Sequence, residues 1–140
     1  MVVRVKLKIK AGDKGAITSA LVNSGFEAME PQLIIPLRLA ERLNFTSMEA
    51  DIEDFDVAGG SRASGYRVKG KFEVELVLRD RPPVRSLASI TILPGEREVI
   101  ISDYLASALQ IVILDPQAGV WCLRDELGAA QRPSVSAEEW

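Results

Sequence analysis

The chain of 140 residues contains no histidine and a single cysteine, Cys122. Without histidine, Ser–His and Cys–His catalysis are excluded, as are histidine-ligated metal sites. One thiol cannot form an intrachain disulfide or a thiolate-rich zinc site. A disulfide-stapled secreted domain is therefore disfavoured, and a reducing compartment, the cytoplasm, is expected. No apolar run approaches the ~18 residues that span a bilayer. The first residues alternate charge with Val, Leu and Ile, which is not the pattern of a leader peptide. Neither sign of charge dominates: 17 basic side chains face 20 acidic ones, for a net charge of −3. That balance leaves no electrostatic footprint for nucleic acid or an anionic membrane, and neither is expected as a partner. What remains for chemistry is carboxylates, Lys, Tyr, Ser and backbone dipoles; no cofactor or metal is expected.

What is present is β-structure. Val2–Ile9 alternates Val, Leu and Ile with Arg4, Lys6 and Lys8, the pattern of a half-buried strand. The turn Ala11–Gly15 leads into a second apolar strand, Ala16–Val22, which Asn23-Ser24-Gly25 breaks. Glycine at Gly25 is expected to take a backbone shape closed to other residues. Pro31–Ile35 reads as extended. Pro36 opens a helix whose buried stripe is Leu37, Ala40 and Leu43, stopped at Asn44. Strands are expected at Asp51–Val57, Tyr66–Val68, Lys71–Leu78 and Ser86–Leu93, with turns at Arg79–Pro83 and Pro94-Gly95. The small, polar stretch Ala58–Gly65 reads as a hairpin tip. After Val99–Ile101, Ser102 is placed to cap a helix over Asp103–Leu109. Ile111–Leu114 is a strand, Asp115–Gly119 a turn, and Val120–Leu123 a strand expected to close a barrel. Many short strands with two short helices favour an all-β, closed barrel over an alternating α/β sheet. There is no internal repeat and no low-complexity segment. From Arg124 the composition turns polar, so residues 124–140 are expected to be a mobile or partner-dependent tail behind a domain spanning 1–123.

The most telling stretch is Ala20-Leu21-Val22-Asn23-Ser24-Gly25-Phe26. It resembles the active-site turn of the retropepsin-like aspartic proteases, where a buried apolar strand runs into Asp-Thr/Ser-Gly. The likeness extends, by order and character of segments, over roughly residues 2–123. A helix after the turn matches Pro36–Asn44, and a glycine-bearing flap hairpin matches Val57–Tyr66. An apolar pair before a short helix matches Ile100-Ile101-Ser102-Asp103-Tyr104-Leu105, and a last strand follows. The closest likeness is to the small, single-lobed cellular members.

The resemblance implies a retropepsin-like barrel that pairs into a homodimer, because one lobe supplies half a cleft. In such a dimer two aspartates meet on the twofold axis and share a proton, one acting as base toward water and the other as acid toward the scissile carbonyl. It implies catalytic positions at Asn23, Ser24 and Gly25. Substrate-binding positions follow at Phe26, Glu27 and the flap tip Gly59-Gly60-Ser61, which closes over extended peptide by backbone pairing. The terminal strands Met1–Ile9 and Gly119–Leu123 are the expected interface. Two positions depart from the pattern. Asn23 stands where the family has the catalytic aspartate, and an amide neither takes water's proton nor shares one with its mate. Ser102 stands where the family has a glycine that packs behind the turn, so the first helix turn is expected to shift while the fold survives.

Three readings of Asn23 stay open: a silent homologue, an engineered inactivating change, or an unrelated turn asparagine. Ser24 reads as a bracing hydroxyl rather than a nucleophile, since no base lies near it. Glu27 reads as an exposed turn residue that is also able to offer the cleft a carboxylate. Asp56 is expected at the flap base and Asp103 in a first helical turn, where its charge suits the dipole. Tyr66, Trp121 and Phe26 read as core aromatics. The leading functional expectation is a peptide-binding homodimer with a disabled dyad. The alternatives are an active aspartic endopeptidase and a β-barrel interaction module unrelated to proteases.

Overall fold

The computed structural model of the protein describes residues 2–56 and 60–140. In β1 (Arg4–Ala11) the alternating residues Val5, Leu7, Ile9 and Ala11 are buried, while the basic residues between them face water. Gly12, at φ +62°, turns the chain so that β2 (Lys14–Val22) returns antiparallel with Ala11 opposite Lys14. A positive φ at the first central residue of a two-residue loop matches the twist of the paired strands.

β3 (Gln32–Ile35) is buried throughout and leads through Pro36 into α1 (Leu37–Arg42). Asn44 ends that segment at φ 64°, a conformation asparagine tolerates. The helix buries Leu39 and Ala40, joined by Leu43 just beyond it, whereas Leu37 is 40% exposed. At ~100° per residue the buried arc runs through Leu39, Leu43 and Ala40, and Leu37 falls outside it. Phe45, fully buried, then packs edge-on against Phe72 at 4.9 Å.

Two hairpins follow. The first joins β4 (Ala50–Asp56) to β5 (Arg62–Val68) and the second β6 (Phe72–Leu76) to β7 (Val84–Ile92). The chain continues through β8 (Val99–Ile101), α2 (Asp103–Ala108), β9 (Ile111–Asp115), β10 (Val120–Leu123) and β11 (Arg132–Pro133).

Six strands close on themselves in the order β3, β8, β2, β1, β6, β7, and β3 pairs with β7 to seal the ring. The protein is thus mostly β, a closed six-stranded barrel with two short α-helices among the described residues. Closure removes the open edges that an unclosed sheet would carry. β7 makes this possible by its length. It serves β6 along 84–88, β3 along 89–92, and β5 at Thr91 and Ile92. The β4–β5 hairpin hangs from that last contact. One apolar cluster fills the ring and continues under both helices, from Val5 and Leu7 to Leu105 and Leu109.

The C-terminal part differs from the sequence reading. β10 does not close the barrel. It pairs with β9 and β11 in a separate three-stranded sheet, because β3 already occupies the closing position. Residues 124–140 lie along the barrel rather than away from it. Val135 N–H donates to Arg4 O at 3.0 Å, Glu138 N–H to Ser19 Oγ at 2.7 Å, and Trp140 Nε1–H to Thr18 Oγ1 at 2.9 Å. The strands expected at an interface are also engaged within the chain. β1 is flanked by β2 and β6, and β10 by β9 and β11.

Ion pairs fasten the start of the tail. Arg132 holds both oxygens of Asp80, at 2.9 and 3.1 Å, and also Glu126 at 2.8 Å. Arg81 holds Asp125 bidentately, each bond 2.8 Å. The Arg132 guanidinium, with help from the Leu123 N–H, brings the Glu126 carboxyl down from 4.5 to about 2. A depressed acid contributes stability in full above its ordinary value and loses that contribution as the pH falls through its folded one. Thermal melting between pH 7 and pH 2 is expected to show a fall that begins near pH 4.5 and continues toward about 2. Glu126→Gln is expected to cost about 1–2 kcal/mol at neutral pH and to flatten that acid limb.

Candidate functional site

β2 ends in a tight turn. Phe26 N–H donates to Asn23 O at 3.0 Å, and Gly25 N–H donates to Asn23 Oδ1 at 3.0 Å. The side chain of Asn23 therefore folds the turn it begins, as asparagine and aspartate both do. Gly25 does not take the backbone shape expected of it. Its φ lies outside the positive region, but a Cβ there would stand 3.2 Å from Asn23 Oδ1. The glycine makes room for the amide.

A brace behind the turn holds it in place. β8 lies between β2 and β3, parallel to the first and antiparallel to the second. Asn23 N–H reaches Ile101 O at 3.4 Å. Ser102, fully buried, accepts from Gln32 N–H and from Leu105 N–H through Oγ, each at 3.1 Å. Its hydroxyl thus joins β3 to the first turn of α2, and the helix forms with Ser102 as its cap. Asp103 completes the brace. Its backbone N–H donates to Phe26 O at 3.0 Å, and its Oδ1 accepts from Ala28 N–H at 3.1 Å. The turn is fixed from behind while its outer surface, Asn23, Ser24 and Gly25, stays exposed.

In front of the turn is a groove of about 680 Å³. Asn23, Gly25, Phe26 and Glu27 form one wall, and Glu53, Asp54, Phe55 and Asp56 of β4 form another. Ile34, Leu93 and Ile100 provide apolar surface between them, with Gln32 and Glu96 beside it. Four consecutive residues of β4 reach the groove. A strand showing only a face contributes alternate residues, so the groove runs along the edge of β4. That edge is the end of the eight-stranded sheet, since among the described residues β4 is paired with β5 alone. Its backbone groups are open to a further strand.

The hairpin is positioned by one contact with the turn and one with β7. Phe26 and Phe55 meet edge to face at 6.4 Å and 79°. Gly65, opposite Glu53 in the hairpin, lies where a Cβ would be 2.9 Å from Ile92 O and 3.3 Å from the Phe55 ring. Only glycine lets β5 cross β7 so closely. Below this crossing, Gln32 Nε2–H donates to Thr91 Oγ1 at 2.9 Å, and Glu53 lies within 3.4 Å of both side chains.

Of the expected site residues, Asn23, Gly25, Phe26 and Glu27 line one groove. Ser24 is beside it, exposed, and its hydroxyl makes no hydrogen bond among the described residues. Ser102 and Asp103 brace the turn from behind. Gly60, at φ +80°, and Ser61 are exposed at the hairpin tip and outside the groove lining, while Gly59 lies outside the described residues. Asp56 sits next to the tip, paired with Arg62, not at the hairpin base, because β4 enters the hairpin at Ala50. Tyr66 is 47% exposed rather than in the core, since it stands on the outward face of β5; Trp121 is buried. The contributions of Gln32, Glu53 and Glu96 had no local signal. They come from three separate segments that only barrel closure brings together.

No protein-family model matches the chain, and no curated protein matches it.

Ser102→Ala removes one acceptor from two buried N–H groups. It is expected to lower stability by about 2–3 kcal/mol in denaturant melts and to speed amide exchange at Gln32 and Leu105.

Proposed function

We propose that the chain is a retropepsin-like, aspartic-protease-fold homodimer that is catalytically silent as it stands and binds extended peptide. One observation carries the reading: the turn that begins at Asn23 and the open edge of β4 line the same groove. A peptide laid there adds a strand to β4 through its backbone while its side chains meet the apolar surface of Phe26, Ile34, Leu93 and Ile100. The brace of β8, Ser102 and Asp103 supports the assignment of the turn, because it stiffens the residues that would present the reacting groups. Met29, 96% exposed, and Tyr104, 50% exposed, flank the turn, apolar surface that a second copy would cover. With an amide at position 23, neither copy offers the carboxylate that a shared-proton dyad needs.

A second reading, an active endopeptidase, is favoured by Glu27, a carboxylate on the same wall of the groove as Asn23. It makes an opposite prediction for the unaltered chain.

Asn23→Asp is nearly isosteric, and an aspartate Oδ accepts the Gly25 N–H as the amide oxygen does, so the variant is expected to fold. Incubated with an unfolded protein across acidic pH, it is expected to cleave at least ~100-fold faster than the unaltered chain. Sedimentation of either form is expected to show a dimer. Cleavage by the unaltered chain that Glu27→Gln abolishes would replace the silent reading with the active one. A monomer whose Asn23→Asp form cleaves nothing would remove the protease-fold reading.

A further inference from the structure

The groove carries a charge that its backbone edge does not explain. Five of its lining residues carry carboxylates, Glu27, Glu53, Asp54, Asp56 and Glu96, and no Lys or Arg lines it among the described residues. They stand on three walls: Glu27 on the turn, Glu96 on the loop between β7 and β8, and the other three on β4. Asp56 is met by Arg62 at 3.3 Å and Glu53 by Arg67 at 3.7 Å. Glu27, Asp54 and Glu96, one on each wall, have no basic partner among the described residues.

Carboxylates dispersed in this way do not form a cation cage. Among the described residues no three acidic, cysteine or histidine side chains converge tightly enough to hold a metal ion. A dispersed negative rim around an apolar floor instead complements a long side chain with an apolar stem and a charged end. Lysine and arginine have that form, burying the stem along apolar surface while the head reaches the rim.

We infer that the groove selects extended peptide segments in which lysine or arginine flanks an apolar residue. The apolar residue occupies the surface made by Ile34, Leu93 and Ile100, and the basic heads reach Glu27 on the turn and Glu96 on the loop between β7 and β8. This rests on the peptide-binding reading above and adds the chemistry of the ligand to it.

The test uses the full chain and three short, end-capped peptides labelled with one fluorophore. Each has a central Leu-Phe pair flanked on both sides by lysine, by serine or by glutamate. Binding is read by fluorescence anisotropy at neutral pH in low and high salt. The lysine peptide is expected to bind ~10-fold or more tightly than the serine peptide, with the glutamate peptide weakest and the spread shrinking as salt rises. The double variant Glu27→Gln, Glu96→Gln, altered at an exposed and a half-buried position, is expected to abolish the difference between the lysine and serine peptides. Equal binding of all three peptides would overturn the selectivity and leave the peptide-binding reading intact. So would a lysine preference that the double variant retains. Failure of every peptide to bind would overturn both.

Discussion

β8 is three residues long, yet the candidate site is organised around its position between β2 and β3. By pairing with both, it fixes the distance between the strand that ends in the turn and the strand that follows it. It also delivers Ser102 and Asp103 to the one place from which they reach Gln32, Phe26 and Ala28. A buried hydroxyl accepting two backbone N–H groups is costly to disturb, because its loss strands two donors away from water. The turn is therefore held to the barrel by hydrogen bonds on its inner side, while its exposed outer residues carry its own Gly25 N–H to Asn23 Oδ1 bond. Such an arrangement suits a site whose reacting or binding groups must be exposed but not mobile.

The hairpin that covers the groove is attached differently. It meets the barrel at Thr91 and Ile92, through the close crossing at Gly65 and the side-chain bonds of Glu53 with Gln32 and of Arg67 with Ser89, and touches the turn through the Phe26–Phe55 pair. Its outer strand is the sheet's edge. The contrast between a turn braced by buried hydrogen bonds and a hairpin held at one end places the lower local stability on the β4 side. A ligand that adds a strand to β4 would give the hairpin the second set of backbone bonds it lacks.

Strand patterning made much of the barrel legible. Alternation in β1, the apolar run into Asn23, Pro36 before α1, and Ser102 before α2 are local signals, and each element formed where its chemistry required. What was not legible depends on contacts between distant segments. Leu123 and Trp121 have the composition of a barrel strand, but whether they close the ring depends on β3 reaching β7 first. The polar composition after Arg124 suggested a free tail because ion pairs such as Arg132 with Asp80 and Glu126 look, in sequence, like ordinary surface charge. At the site, the turn was visible from its own residues and the carboxylate rim was not. Ser102 shows the limit most clearly: its capping role was readable from the helix that follows, and its bond to Gln32, 70 residues earlier, was not.

The clasp between the tail and the first hairpin bears on how the chain folds. Arg4 and Ser134 are separated by 130 positions, and Thr18 and Trp140 by 122. Contacts of such long sequence separation raise the contact order and place the protein among slow folders, in the millisecond-to-second range typical of non-local β-structure. Closing loops of that size carries a large entropic penalty before any contact offsets it, so the clasp forms after the barrel. Interactions made that late act mainly on the unfolding rate. The residues that fasten 132–140 to β1 and β2 are then a kinetic latch, setting how long the native barrel persists more than how quickly it is reached.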